Sequence, residues 1–138
     1  MAAAKQLFNA FEKYNLLKTF LLTLLLSIVF LYLFSWPGCI LGAVLGGFFT
    51  IRYSRAAVIG FLAGLTAWGL LVGIHAIFGG IAVLDLFGAL AGLEGMGSVL
   101  AIIIVLIGGL LGLGGSLLGN ALFSIFEPYW RESAESSN

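Results

Sequence analysis

The sequence predicts an all-α, polytopic membrane protein, and its composition, charge placement and glycine spacing each support this prediction. Of the 138 residues, 62% are hydrophobic and 9% are charged, and the mean hydropathy is +1.18. Soluble domains carry about 25% charged and about 45–50% apolar residues. A soluble fold would leave a large apolar surface facing water, whereas helices can place that surface against lipid. We expect four transmembrane helices and a short N-terminal amphipathic helix.

Residues 1–15 mix apolar and polar side chains. Leu7, Phe8, Phe11 and Tyr14 recur at helical spacing, with charged and amide residues between them. Such a pattern predicts an amphipathic helix lying in the headgroup region. A partly ordered tail is the alternative.

The first predicted span covers 16–36 and would be about 31 Å long at roughly 1.5 Å per residue. Its internal charge, Lys18, lies near the start of the span, where a long side chain can reach the headgroups. Pro37 and Gly38 end this helix and open the next one, because proline suits the first turn of a helix.

The second predicted span covers 37–54 and ends at a pair of arginines, Arg52 and Arg55. Placing both arginines at mid-bilayer would cost about 5–7 kcal/mol. A single helix over 38–79 would also be about 63 Å long, twice the hydrocarbon thickness. The chain must therefore turn back within 52–56.

The second half of the chain supplies two more predicted spans, 57–78 and 97–123. The segment between them, 79–96, holds Asp85 and Glu94 in an otherwise apolar stretch, and its apolar part, 81–93, has about 13 residues, which is too few to cross a bilayer. We expect this segment to be re-entrant or interfacial on the outer side. Pro128 is expected to close the last helix, so that 16–126 forms a single transmembrane domain and 127–138 a polar cytoplasmic tail.

The cationic side chains agree with one orientation of these spans. With the N-terminus in the cytoplasm, five of the six cations fall in cytoplasmic ends or turns, and Lys18 lies just inside the membrane at the same face; the six are Lys5, Lys13, Lys18, Arg52, Arg55 and Arg131. The outer connections hold none, in agreement with the positive-inside rule. We expect both termini to be cytoplasmic and the protein to reside in the cell membrane as a multi-pass protein.

Glycine is enriched, with 20 copies, and many of these are spaced four residues apart. Small residues at this spacing allow helices to approach closely in lipid, where apolar burial does not drive association. We predict glycine-zipper packing at eleven positions, namely Gly38, Gly42, Gly46, Gly60, Gly64, Gly69, Gly73, Gly108, Gly112, Gly115 and Gly119. Pore lining or a sliding hinge is the alternative role for these rows.

Four polar residues are expected toward the outer face: Cys39, His75, Asp85 and Glu94. The simplest interpretation is an interface histidine and loop-solvating acids. The alternatives are a proton or cation entry site, since ionisable groups at a membrane edge can mark ion pathways, or a metal site. No short ligand spacing supports the metal site, and we predict no bound metal and no cofactor.

Several function classes are disfavoured by the sequence. The net charge of zero provides no basic face for nucleic acid, and one cysteine cannot form a disulfide within the chain. The glycine-rich run 108–116 lacks the lysine of a phosphate-binding loop. Ser98 is not surrounded by a nucleophile motif, so a hydrolase site with His75 and Asp85 has little support.

These observations favour a small, non-catalytic integral membrane protein whose partners are the lipid bilayer and other membrane subunits or itself. It would be an accessory or structural subunit of a membrane complex, or a self-associating packing protein. The alternative is a small oligomeric channel or transporter for an ion or small solute, with the row Gly108, Gly112, Ser116 and Asn120 lining its path. The absence of charges from the span centres disfavours a transporter that acts alone.

Overall fold

The computed structural model describes residues 16–50 and 52–135, and all regular secondary structure in this part of the chain is helical. It forms five helices, which are α1 (Leu16–Phe34), α2 (Trp36–Phe48), α3 (Tyr53–Ile77), α4 (Gly80–Leu90) and α5 (Gly97–Glu135). The predicted amphipathic helix over 1–15 lies outside the described residues.

Three of these helices have the length and composition to cross a membrane. They are α1, α3 and the first part of α5, Gly97–Phe126, with mean hydropathies between 2.1 and 2.5. The remaining two, α2 and α4, are apolar but shorter. The prediction of a helical membrane protein is thus supported. The number of complete crossings depends on how far α2 extends across the bilayer.

The second predicted span is longer than the helix that forms there. The sequence predicts a helix over 37–54, but α2 ends at Phe48 after 13 residues. The backbone N–H of Thr50 donates a hydrogen bond to the carbonyl of Gly47 at 2.9 Å. The Thr50 carbonyl, which a continuing helix would bond to Ser54, accepts a hydrogen bond from the side chain of Asn120 instead. A tertiary contact therefore takes the place of the next helical turn.

Two other boundaries also differ from the prediction. The second helix already ends at Phe48 and α3 begins at Tyr53, so the chain turns back before the predicted turn at 52–56. Pro128 does not close the last helix, because α5 continues to Glu135. Since proline has no N–H, the carbonyl of Ser124 loses its helical donor there, a cost that the helix tolerates.

The first two helices form a tight antiparallel hairpin. One residue, Ser35, separates α1 from α2 and has a positive φ of 59°. Gly38, near the start of α2, faces Phe30, whereas Gly46, near its end, faces Thr23. The contacts thus move backward along α1 as α2 advances.

The longest helix, α5, runs alongside both α2 and α3. It is parallel to α2, since Ile40 lies against Gly115 and the rings of Phe48 and Phe123 are 5.5 Å apart. It is antiparallel to α3, as described below for their glycines. Among the described helices, α4 packs against α3 and α5 and makes no contact with α1 or α2.

This arrangement divides the molecule into two parts. The four-helix half contains α1, α2 and the segments 53–64 and 108–121, and most buried residues lie in it. The two-helix half is named for the two long helices that continue into it. It contains residues 65–77 of α3 and 97–107 of α5, together with the short helix α4. Its buried residues are all small, namely Ala67, Gly88, Gly97 and Ala101.

Candidate functional site: the glycine-lined helix contacts

The contact between α1 and α2 depends on three glycines of α2. A Cβ atom added at Gly38, Gly42 or Gly46 would come within 3.0 Å of α1, at Phe30, Ser27 and Thr23 respectively. The first two of these contacts are with backbone atoms, which cannot move aside as the end of a side chain can. A residue larger than glycine would therefore force the hairpin apart.

The contact between α3 and α5 is formed by backbone against backbone. Gly64 lies against the carbonyl of Gly108, and Gly60 and Gly112 lie against one another. The indole ring of Trp68 also packs against Gly108. With no Cβ on either side, the two helix axes approach more closely than other residues permit.

The contact between α2 and α5 uses Gly115 and Gly119, which face the carbonyls of Ile40 and Val44. It also uses Gly47, which the sequence analysis did not select, and which lies against Ser116. Gly47 is four residues after Ala43, and this small-residue spacing is the signal that would have revealed it.

Two of the eleven selected glycines are not packed against another helix in the chain. A Cβ at Gly69 would meet a single atom within 4 Å, on Val105 at 3.9 Å, and a Cβ at Gly73 would meet none. Both lie in the two-helix half. The other nine positions would each bring a Cβ within 3.0 Å of a neighbour.

The polar side chains buried between the helices connect different segments of the four-helix half. Ser116 Oγ donates to the carbonyl of Ala56 at 2.8 Å, which links α5 to the first turn of α3. Asn120 donates to the carbonyl of Thr50, and Thr50 Oγ1 donates to Gly46 at 3.0 Å. Asn120 thus connects α5 to the turn that follows α2.

Of the buried polar atoms in the described residues, Ser27 Oγ has no hydrogen-bond partner, and Trp68 Nε1 has only the thiol of Cys39 beside it. Ser27 lies against Gly42 and Trp68 against Gly108. Both are held at close helix contacts, so dense packing is achieved there without pairing every polar group.

The structure does not bring Cys39 together with the other three outer-face candidates. Cys39 is fully buried in α2, whereas His75, Asp85 and Glu94 lie at the far end of the two-helix half. Close packing of α2 encloses Cys39, so its thiol is not available to form one site with the other three residues. Among the described residues, no three His, Cys, Asp or Glu side chains lie close enough to hold a metal ion.

Asp85 has a structural partner that the sequence analysis missed. Its Oδ1 accepts a hydrogen bond of 2.6 Å from the backbone N–H of Gly97, the first residue of α5. A carboxylate there pairs an otherwise unbonded N–H and complements the helix dipole. His75 bonds within its own helix, with Nδ1 2.8 Å from the carbonyl of Leu71, and Glu94 is exposed in the loop before α5.

Comparison of the chain with protein-family models, with curated proteins and with solved structures finds no match.

Proposed function

We propose that the protein is a small, non-catalytic integral membrane protein that acts by packing against other membrane helices. It would serve as an accessory or structural subunit of a membrane complex or associate with copies of itself. Gly73 is the observation that carries this proposal: it is exposed and no atom lies within 4 Å of an added Cβ. A small residue on an apolar, open helix face permits the close approach of a second helix.

We further propose that both termini lie on the cytoplasmic side of the cell membrane. Thr23 faces Gly46 near the end of α2, and Lys18 lies just over one helical turn before Thr23. Lys18 is therefore at the same end of the molecule as Arg52 and Arg55. His75 and the acidic residues Asp85 and Glu94 occupy the opposite end, as the positive-inside rule favours.

The channel alternative receives less support from these contacts. Its expected path follows Gly108, Gly112, Ser116 and Asn120, but each of these residues is buried against another helix of the same chain. A pore along this row would require α5 to separate from α2 and α3. A pore between protomers would have to be lined by other faces of the helices.

Native mass spectrometry of protein extracted in a mild detergent tests the packing proposal. We expect either a defined homo-oligomer or co-purification with larger subunits. Gly73→Leu should abolish this association, because the leucine side chain would fill the open helix face at Gly73. Gly114→Leu is the matched control, because Gly114 on α5 is also open to its surroundings. A wild-type protein that is monomeric and without partners would rule the proposal out. Loss of association in Gly114→Leu alone would mean that the contact surface lies on α5 and not at Gly73.

A further inference from the structure

We propose that α1 and α2 form a re-entrant hairpin that enters the bilayer from the cationic face and ends near its midplane. The cationic face is the end that carries Lys18, Arg52 and Arg55. In this arrangement the tip of the hairpin contacts lipid acyl chains instead of the opposite aqueous phase. Only α3 and α5 cross the membrane completely.

The position of the bilayer follows from the charges on α3. Arg55 lies near the start of this helix and His75 near its end. The stretch between them is about 30 Å long at roughly 1.5 Å per residue, which equals the usual hydrocarbon thickness of about 30 Å. The segment of α5 that pairs with this stretch carries no charged residue, and its polar side chain at the cationic end, Ser116, is hydrogen-bonded to the carbonyl of Ala56. The hydrocarbon core therefore fits between Arg55 and His75.

The depth of the hairpin follows from the length of α2. A short turn joins the end of α2 to the start of α3, so these two points lie level with one another. From there α2 extends for 13 residues, about 20 Å, whereas α3 extends for 25 residues, about 38 Å. The tip at Ser35 consequently lies near the middle of α3, and α4 at the far end of α3 does not contact either hairpin helix.

The exposed surface of the tip is largely apolar, and its polar groups are the hydroxyls of Tyr32 and Ser35. Its side chains are 91% exposed at Tyr32, 64% at Leu33 and 56% at Phe34. If α1 crossed the bilayer instead, the membrane would be displaced toward the cationic end and the two-helix half would project into water. Its exposed apolar residues, which include Ile77 at 82% and Ile102 at 62%, would then lose their lipid environment.

The turn itself contains little non-helical backbone. Its single linking residue is Ser35, and Pro37 carries no N–H. The N–H of Gly38 donates to the carbonyl of Ser35 at 3.0 Å. A tight turn of this kind reduces the cost of placing non-helical backbone in the hydrocarbon core.

A depth profile along α1 tests the proposal. Single cysteines at the exposed positions Leu21, Leu25, Tyr32 and Ser35, in a Cys39→Ala background, would carry nitroxide labels in reconstituted vesicles. Electron paramagnetic resonance would compare collision of each label with oxygen and with a water-soluble nickel chelate. We expect immersion depth to rise steadily from Leu21 to Ser35. A maximum at Leu25 followed by a fall at Ser35 would show a complete crossing and overturn the proposal.

Reaction with a membrane-impermeant maleimide provides the second measurement. We expect Ser35→Cys to be unreactive from either side of intact vesicles, whereas Glu94→Cys should react from the outer side and Ser54→Cys from the cationic face. Glu94 and Ser54 are both exposed in the structure, so they are matched controls for labelling. Reaction of Ser35→Cys from the same side as Glu94→Cys, at a comparable rate, would contradict the re-entrant hairpin. Cys39→Ser serves as the alternative background if Cys39→Ala does not fold.

Discussion

The four-helix half and the two-helix half are built from the same kinds of residue but are held together differently. In the four-helix half, backbone meets backbone at glycines, and buried polar side chains bond across segments. In the two-helix half, α3 and α5 have one another and α4 as partners, and most large side chains are exposed. Every buried polar residue among the described side chains, Thr23, Ser27, Thr50, Ser116 and Asn120, belongs to the four-helix half or the turn at its end.

The comparison is sharpest within α3, which carries glycines in both halves. Gly60 and Gly64 are enclosed by α5, yet Gly73, on the same helix, faces open space. The spacing of small residues thus indicates a capacity for close approach. Gly73 lies nine residues after Gly64 and so on the opposite face of α3. Whether the capacity is used depends on whether another helix of the chain lies against that face.

The largest expected effect is that of Gly64→Leu. The added side chain would collide with the carbonyl of Gly108, and backbone cannot move aside without separating the helices. We expect a loss of about 3 kcal/mol in the free energy of unfolding. Unfolding of the monomeric protein in mixed micelles, followed by circular dichroism, would measure it. Gly73→Leu is the control in the other half, and an equal loss in both variants would refute the distinction between the halves.

A smaller effect is expected from Asn120→Ala. This change removes the donor to the Thr50 carbonyl and leaves that buried acceptor without its partner. We expect destabilisation of about 1–2 kcal/mol in the same unfolding measurement. Ser124→Ala is the matched control, since Ser124 is exposed and bonds to Ala121 in its own helix. A loss no greater than that of the control would mean that this hydrogen bond does not hold the end of α2.

The smallest effect is expected in the two-helix half, from Asp85→Ala. The variant frees the first N–H of α5 and should cost about 1 kcal/mol. Faster amide hydrogen exchange at 97–100 would report the frayed helix start, while Asp85→Asn should retain most of the protection because its amide oxygen still accepts. Exposed Glu94→Ala should leave exchange unchanged. If Asp85→Ala exchanges as slowly as the wild type, Asp85 does not cap α5.

The sequence by itself determined that the protein suits a lipid environment and where its long helices lie. The mean hydropathy of +1.18 follows from composition alone. The long apolar runs are local properties of the sequence, and each has the length and composition of a membrane-crossing helix; they are Leu16–Phe34, Tyr53–Ile77 and Gly97–Phe126. Glycine spacing is equally local, so the positions capable of close packing could be selected before any contact was known. Of the selected glycines, those that remain unpacked lie beyond the reach of α2.

Only the tertiary structure decided where α2 ends and what surrounds Cys39 and Asp85. The end of α2 depends on an amide of Asn120, 70 residues further along the chain. Cys39 is enclosed because glycines bring its neighbours close, and Asp85 bonds to Gly97 because α4 folds back on the start of α5. Such contacts join distant parts of the chain, and hydrophobic periodicity carries no information about them. The depth of the α1–α2 hairpin, which follows from the end of α2, is for the same reason a property of the fold.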